Sequence, residues 1–295
     1  MNLAAVQYQP IRSDIHSAIM SVVTRGDQQN LDQNNFITAL WLREYRRRSL
    51  PADQSLVKQQ EQALNYLQSS SWQKVGLLNG AYGFWQPDQQ PNWATGIPAD
   101  IDDSAIIHSE LVLAGRIQAG QCKSLVYRLF NNARILTTNE YTPPWVCAGS
   151  YYTWLPVSPA KDNIVDACVN TNAVALLACL DAKSAPGYFQ ACETILNAVK
   201  WARGSPARLR VITPFYPNSV EFYYALQNAV ECGVTELIPA LKTLAKINQK
   251  SANNDSKAIC SSSFGKIVWR SSALDAIRRY PLKACYTDEV DRCVS

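Results

Sequence analysis

The chain has 295 residues, 47% hydrophobic and 18% charged, a balance that can bury a large core and excludes an intrinsically disordered protein. A net charge of +4 is too small for a general polyanion binder, and the basic residues are scattered except for Arg43, Arg46, Arg47 and Arg48. That cluster falls at a helix end, where cations favour the macrodipole, and reads as a solvated surface rather than a nucleic-acid patch.

From its start at Met1 to Gln7 the chain has no basic region leading into an apolar run, and no later segment approaches ~18 uninterrupted apolar residues. The expectation is a cytoplasmic protein without a transmembrane segment, with peripheral membrane contact left open and the oligomeric state undetermined. Residues 1–12 read as an extended N-terminal segment of one domain that covers 1–295. The nine cysteines form no C-x-x-C pair and mostly fall in apolar helical stretches, so they read as reduced core thiols. Only His16 and His108 supply imidazole, so no metal site is expected.

In chain order, apolar residues at helical spacing predict a helix over 31–48, marked by Phe36, Leu40, Leu42 and Tyr45, and a second over 55–69. Further helices fit 101–118, 121–137, 165–181, 187–203, 217–232, 234–249 and 268–280. No region shows sustained strand alternation, and the expected fold class is all-α. Ala105 to Ala114 and Ala173 to Ala178 are apolar nearly all round, as buried helices are, whereas 55–68 carries Lys58, Gln59, Glu61, Gln62 and Asn65 on one side, as an outer helix would.

Asp100-Ile101-Asp102-Asp103-Ser104-Ala105 opens one of the buried helices with three carboxylates in four residues. Like charges that close do not ionise independently, and a strained proton is what an acid catalyst needs. The same residues also suit a helix start: Asp100 as N-cap, Asp103 at N3 as in a capping box, and acidic side chains in the first turn. The two roles part at Asp102, which capping does not require.

Three segments place small and aromatic residues just before a Trp: Gly80 to Trp85, Gly149 to Trp154 and Ser262 to Trp269. Asp102 follows Trp85 by seventeen residues and Asn170 follows Trp154 by sixteen, so each of these turns leads to a helix with a polar tip. In the second tip Asp166 and Asn170 share a face. Helix pairs repeated in this way suggest a closed ring, a single α/α toroid of inner and outer helices whose inner N-termini surround one mouth of a cavity. Tyr82, Trp85, Tyr152, Trp154, Tyr216, Phe222 and Tyr223 are the aromatic candidates to line it, with Asp166 and Asn170 beside them.

These residues resemble the α/α-toroid superfamily of terpenoid cyclases and protein prenyltransferases. Asp100-Ile101-Asp102-Asp103-Ser104-Ala105 is similar to the D-x-D-D-[TS]-A motif of class II terpene cyclases, and the aromatic turns weakly resemble their repeat. The resemblance implies a protonation-initiated cyclisation of a hydrophobic isoprenoid, a polyprenyl diphosphate or a squalene-type hydrocarbon. Asp102 would be the general acid, flanked by Asp100 and Asp103. It implies no cofactor, with magnesium entering only if the substrate is a diphosphate. Such an acid must stay protonated at neutral pH yet leave a stabilised anion, and the cation it makes needs aromatic faces and exclusion of water.

Two other readings fit the sequence: a toroid that binds an isoprenoid lipid or a partner without catalysis, and an α/α-barrel glycoside-processing enzyme whose carboxylates act as acid and base. For a diphosphate group Arg203, Arg208 and Arg210 are the candidate cations.

Overall fold

The computed structural model describes residues 17–72, 78–94, 96–155, 163–250, 258–262 and 265–283. The extended segment expected over 1–12, together with His16, Phe264, Cys285 and Cys293, lies outside the described residues.

Four helices form the centre. α1 (Asn35–Arg47), α3 (Ile101–Leu113), α5 (Ala167–Cys179) and α8 (Ser219–Glu231) pack in sequence, α1 on α3, α3 on α5 and α5 on α8. α3 is buried on every side from Ile101 to Leu111 and α5 from Ala167 to Leu177, which is why neither shows a polar stripe. Outside them lie α2 (Gln54–Ser69), α4 (Ala119–Asn132), α6 (Tyr188–Ala202) and α9 (Ile238–Lys250), packed respectively on α1, α3, α5 and α8. Their inward faces are apolar stripes such as Cys122, Val126, Leu129 and Phe130 of α4. Two shorter helices, α7 (Pro206–Ile212) and α10 (Ser272–Ile277), pack on α6 and α1. No helix among the described residues is long and apolar enough to cross a membrane.

The expectation of an all-α toroid is corrected: the fold is mixed α/β, with a four-stranded antiparallel sheet beside the helices. Its strands are β1 (Met20–Arg25), β2 (Gln28–Gln33), β3 (Cys260–Ser261) and β4 (Ile267–Arg270), in the order β2-β1-β4-β3. β1 and β2 form a hairpin closed by Gly26-Asp27, with Gly26 in the left-handed region at φ +57°. Arg25 pairs across from Ile267 and Val23 from Trp269, so strands from early and late in the sequence meet in one sheet. The third aromatic segment differs from the other two in that its Trp269 lies on strand β4, which runs directly into α10 at N-cap Ser271. The helix expected over 268–280 is strand as far as Arg270 and helical only from Ser272 to Ile277.

The first two aromatic turns do repeat, in a register two residues from the expected one. Tyr82 donates its backbone N–H to Ser104 Oγ at 3.0 Å, and Tyr151 donates to Asn170 Oδ1 at 3.0 Å. Ser104 and Asn170 each stand four residues after an N-cap aspartate, Asp100 and Asp166. α1 has the same device: N-cap Asn34, and Thr38 Oγ1 accepting from Ile19 N–H at 3.0 Å. A polar residue one turn into α1, α3 and α5 thus fastens a backbone N–H of another segment; in α8 that position is Phe222. Asp102 has no part in that device.

The arginine cluster is not a solvated surface. Arg43, Arg47 and Arg48 are buried, because α1 is a central helix with its last turns facing inward. Arg46 pairs with Glu110 at 2.9 Å, Arg47 with Glu231 at 2.6 Å and Arg48 with Glu44 at 2.8 Å.

Candidate active site

The N-terminal ends of α1, α3 and α5, the segment before α8 and the sheet surround a cavity of about 450 Å³, within the range of small-molecule sites. Its wall combines Phe36, Phe84, Trp85, Trp93, Trp154, Phe215, Tyr216 and Trp269 with the carboxylates Asp100, Asp102 and Asp103. Among the described residues no lysine, arginine or histidine lines it.

The aromatics form a continuous lining. Phe84 lies 4.6 Å from Trp85 and 4.9 Å from Trp269, and Trp93 lies 5.7 Å from Trp85. Phe36 continues the wall to Tyr216 at 6.1 Å, and Trp154 stands edge-on to Phe215 at 5.3 Å. Asp32, on β2, fastens two of the indoles: its carboxylate accepts from Trp85 Nε1 at 2.9 Å and from Trp269 Nε1 at 2.8 Å. Asn34 Nδ2 donates to the same group at 2.8 Å. Replacing Asp32 by Ala is expected to cost roughly 1–3 kcal/mol, the worth of hydrogen bonds to a charged acceptor, and to red-shift tryptophan fluorescence. Unchanged denaturation and emission would show that the indoles are held by packing alone.

The carboxylates arise from how α3 begins. Asp100 Oδ1 caps the helix by accepting from Asp103 N–H at 2.7 Å. The reciprocal half of a capping box is missing, because Asp100 N–H instead donates to the Tyr82 carbonyl at 3.0 Å. Asp103 is thereby released from capping, and its Oδ1 has no hydrogen-bond partner although it is buried. The two aromatic turns hold this corner from both sides, since Ile101 N–H donates to Thr153 at 2.9 Å and Leu155 N–H to Ala99 at 3.0 Å. Gly83 permits the close approach: a Cβ there would sit 3.3 Å from Ala99 Cα and from the Pro98 carbonyl.

Asp102 is 8% exposed and has both oxygens occupied by donors, one from α5 and one from the loop before α8. Asn172 Nδ2 of α5 donates to Oδ1 at 2.7 Å, and Tyr216 OH donates to Oδ2. Behind Asn172, the buried Arg43 of α1 donates to its Oδ1 at 3.4 Å. Burial pushes the Asp102 carboxyl up, against the opposing pull of Tyr216, Asn172 and Arg43. Burial likewise raises Asp100 to about 7 and Asp103 well above the carboxylate range; Asp100 in turn raises Asp103, and Asp102 raises both. Asp166 rises to about 8, by burial and by the proximity of Asp102. A corner with four buried aspartates and Arg43 nearby therefore holds protons at neutral pH. At Asp102 the two donors, Asn172 and Tyr216, stand at the oxygens that would carry the anion's charge.

Of the expected site residues, Asp100, Asp102, Asp103, Trp85, Trp154 and Tyr216 meet at the cavity, and six lie off its lining. Asp166 caps α5 through Cys168 N–H at 2.6 Å, and Asn170 is spent clamping the Tyr151 backbone. Tyr82 packs edge-on against His108 at 5.0 Å, Phe222 is core, Tyr223 accepts from Gln227 at 3.0 Å, and Tyr152 packs against the core near α4. His108 Nε2 donates to the Gly80 carbonyl at 3.0 Å, and burial lowers its pKa to about 4, so it is neutral. Arg203, Arg208 and Arg210 do not line the cavity, and Arg208 stacks on Trp201. Sequence reasoning missed Asp32, Phe36, Asn172, Arg43 and Trp269 as parts of the site. For Asn172 the available signal was its place in the polar run Asn170-Thr171-Asn172 at the start of an otherwise apolar helix.

No family model, no curated protein and no solved structure matches the chain.

Proposed function

We propose that the chain is an enzyme that cyclises a hydrophobic isoprenoid by protonation, with Asp102 as the acid. The observation that carries this reading is the buried Asp102 carboxyl, which opens on an aromatic cavity while Tyr216 and Asn172 donate to its two oxygens. Burial raises the Asp102 carboxyl and so favours its protonated form, while the two donors stabilise the anion once the proton is gone.

In the proposed step the π electrons of a terminal alkene take the Asp102 proton, leaving a tertiary carbocation and the Asp102 carboxylate. A second double bond attacks that cation and closes the ring, and loss of a proton ends the reaction. The tryptophan and phenylalanine faces shelter the cation from water, each attraction worth ~0.5–2 kcal/mol. A lining without cations favours entry of the uncharged end of the substrate. If the other end bears a diphosphate, Arg25 suits it: it stacks 4.5 Å over Trp93 and lies opposite Ile267, on the cavity side of the sheet. This reading takes the protein to act in the cytoplasm.

The test is incubation of the purified protein with farnesyl and geranylgeranyl diphosphate, squalene and oxidosqualene. A cyclic product is expected from one of them, and Asp102→Asn, folded as the wild type, is expected to lose ~10²–10⁴-fold in its rate of formation. Absence of product from all four with folded wild-type protein counts against the reading, as does an active Asp102→Asn.

A further inference from the structure

We propose that Cys179 and Cys232 form a reversible disulfide, a redox modification site that joins the C-terminal ends of α5 and α8. Their sulfurs lie 2.8 Å apart, inside van der Waals contact and less than an ångström from the ~2.05 Å of a disulfide bond. Cys179 is the last residue of α5 and Cys232 the C-cap of α8, two helices packed side by side, so the contact is set by the helix packing rather than by a loop. Both are free thiols and both are partly exposed, so a small oxidant reaches them. Cys122, Cys168, Cys192 and Cys260, by contrast, are buried, and burial raises their thiols, with nearby carboxylates raising Cys168, Cys192 and Cys260 further.

Hydrogen bonding from Cys232 lowers the Cys179 thiol and raises that of Cys232, and the Arg46 guanidinium favours the thiolate at both, while Glu110 opposes it. Either sulfur of so close a pair can attack first, and the balance is the same with Cys179 as the attacking thiol. With hydrogen peroxide as oxidant, its thiolate attacks one oxygen: the O–O bond breaks, an S–O bond forms, and the departing hydroxide takes a proton to become water. The Cys232 sulfur then attacks the sulfenic acid, forming S–S and breaking S–O, and the second hydroxide leaves as water with the Cys232 proton. Two thiols are oxidised and one peroxide is reduced to two waters. A dithiol such as dithiothreitol reverses the change by exchange. The pair lies at the far end of α5 from Asp166, so this proposal does not rest on the cyclisation reading.

The experiment treats the full chain with stoichiometric hydrogen peroxide, blocks the remaining thiols by alkylation and maps the peptides by mass spectrometry, before and after dithiothreitol. The expected result is a Cys179–Cys232 linkage that dithiothreitol removes, with Tm higher by roughly 5–10 °C in the oxidised form, as closure of a long loop implies. Cys232→Ser and Cys179→Ser are each expected to abolish the linkage and to leave a lone sulfur whose sulfenic acid reacts with dimedone. Full alkylation of both cysteines after peroxide, oxidation of Cys179 to a sulfinic acid in the wild type, or a linkage that resists dithiothreitol would each overturn the proposal. The wild-type peptide map decides even if a variant fails to fold.

Discussion

Stability is expected to fall as pH rises from about 4 to about 9, the reverse of the usual behaviour of proteins rich in paired carboxylates. Asp166 is raised from an ordinary 3.8 to about 8, because burial disfavours its anion and Asp102 lies close. Asp100 follows at about 7, with burial the main cause. A group whose pKa is higher in the folded than in the unfolded chain contributes its full stability below the unfolded value and loses it as pH rises through the folded one. For Asp166 that window runs from about 4 to about 8, and at 1.36 kcal/mol per unit the loss is ~5 kcal/mol. Asp166→Asn tests the attribution. Its amide oxygen can still accept from Cys168 and Val169 N–H, but the side chain never ionises. Denaturation followed across pH is expected to show a flatter profile for the variant and a stability advantage at pH 9. A variant profile parallel to the wild type would remove Asp166 from the account.

Glu44→Gln is expected to cost ~3–5 kcal/mol, the penalty for breaking a fully buried ion pair while its partners stay buried. Glu44 is inaccessible and lies 2.8 Å from Arg48, 3.3 Å from Arg47 and 3.8 Å from Arg278. Burial alone would raise its carboxyl, yet Arg47, Arg278, Arg43 and Arg48 together bring it down to about 2. Its contribution is therefore present above about 4.5 and is lost as pH falls toward 2. Arg278 retains Glu221, at 2.6 Å, and Arg47 retains Glu231, but Arg48 loses its carboxylate partner. The check is chemical denaturation at neutral pH; a loss below ~1 kcal/mol would mean that water reaches these arginines.

What was legible in the sequence was the helical centre and the acidic corner. α3 and α5 are apolar all round, and each begins at an aspartate that does cap it. The sheet was not legible for identifiable reasons. β2 reads QQNLDQ, almost wholly polar, β3 has two residues, and the pairing of β1 with β4 joins positions about 245 apart, beyond any local pattern. The Gly26-Asp27 turn after the β-branched run Val22-Val23-Thr24 was the one hairpin signal available. Missing the sheet also hid Asp32, whose role depends on bringing Trp85 and Trp269 to one carboxylate from distant parts of the sequence. Helical periodicity put Asp166 and Asn170 on one face, but which face meets Asp102 depends on how α5 packs on α3. That packing selects Asn172. The arginines were misread because charge at a helix end looks solvated until the helix proves to be central.

The central claim is that Asp102 delivers a proton to carbon, and solvent isotope labelling tests it most directly. Asp102 must regain its proton from water after each turnover, so cyclisation run in D₂O places one deuterium on the carbon that the acid attacked. Mass spectrometry of the product is expected to show a gain of one mass unit, located by NMR at the former terminal alkene. A cyclic product formed in D₂O without deuterium at that carbon would contradict protonation as the initiating step.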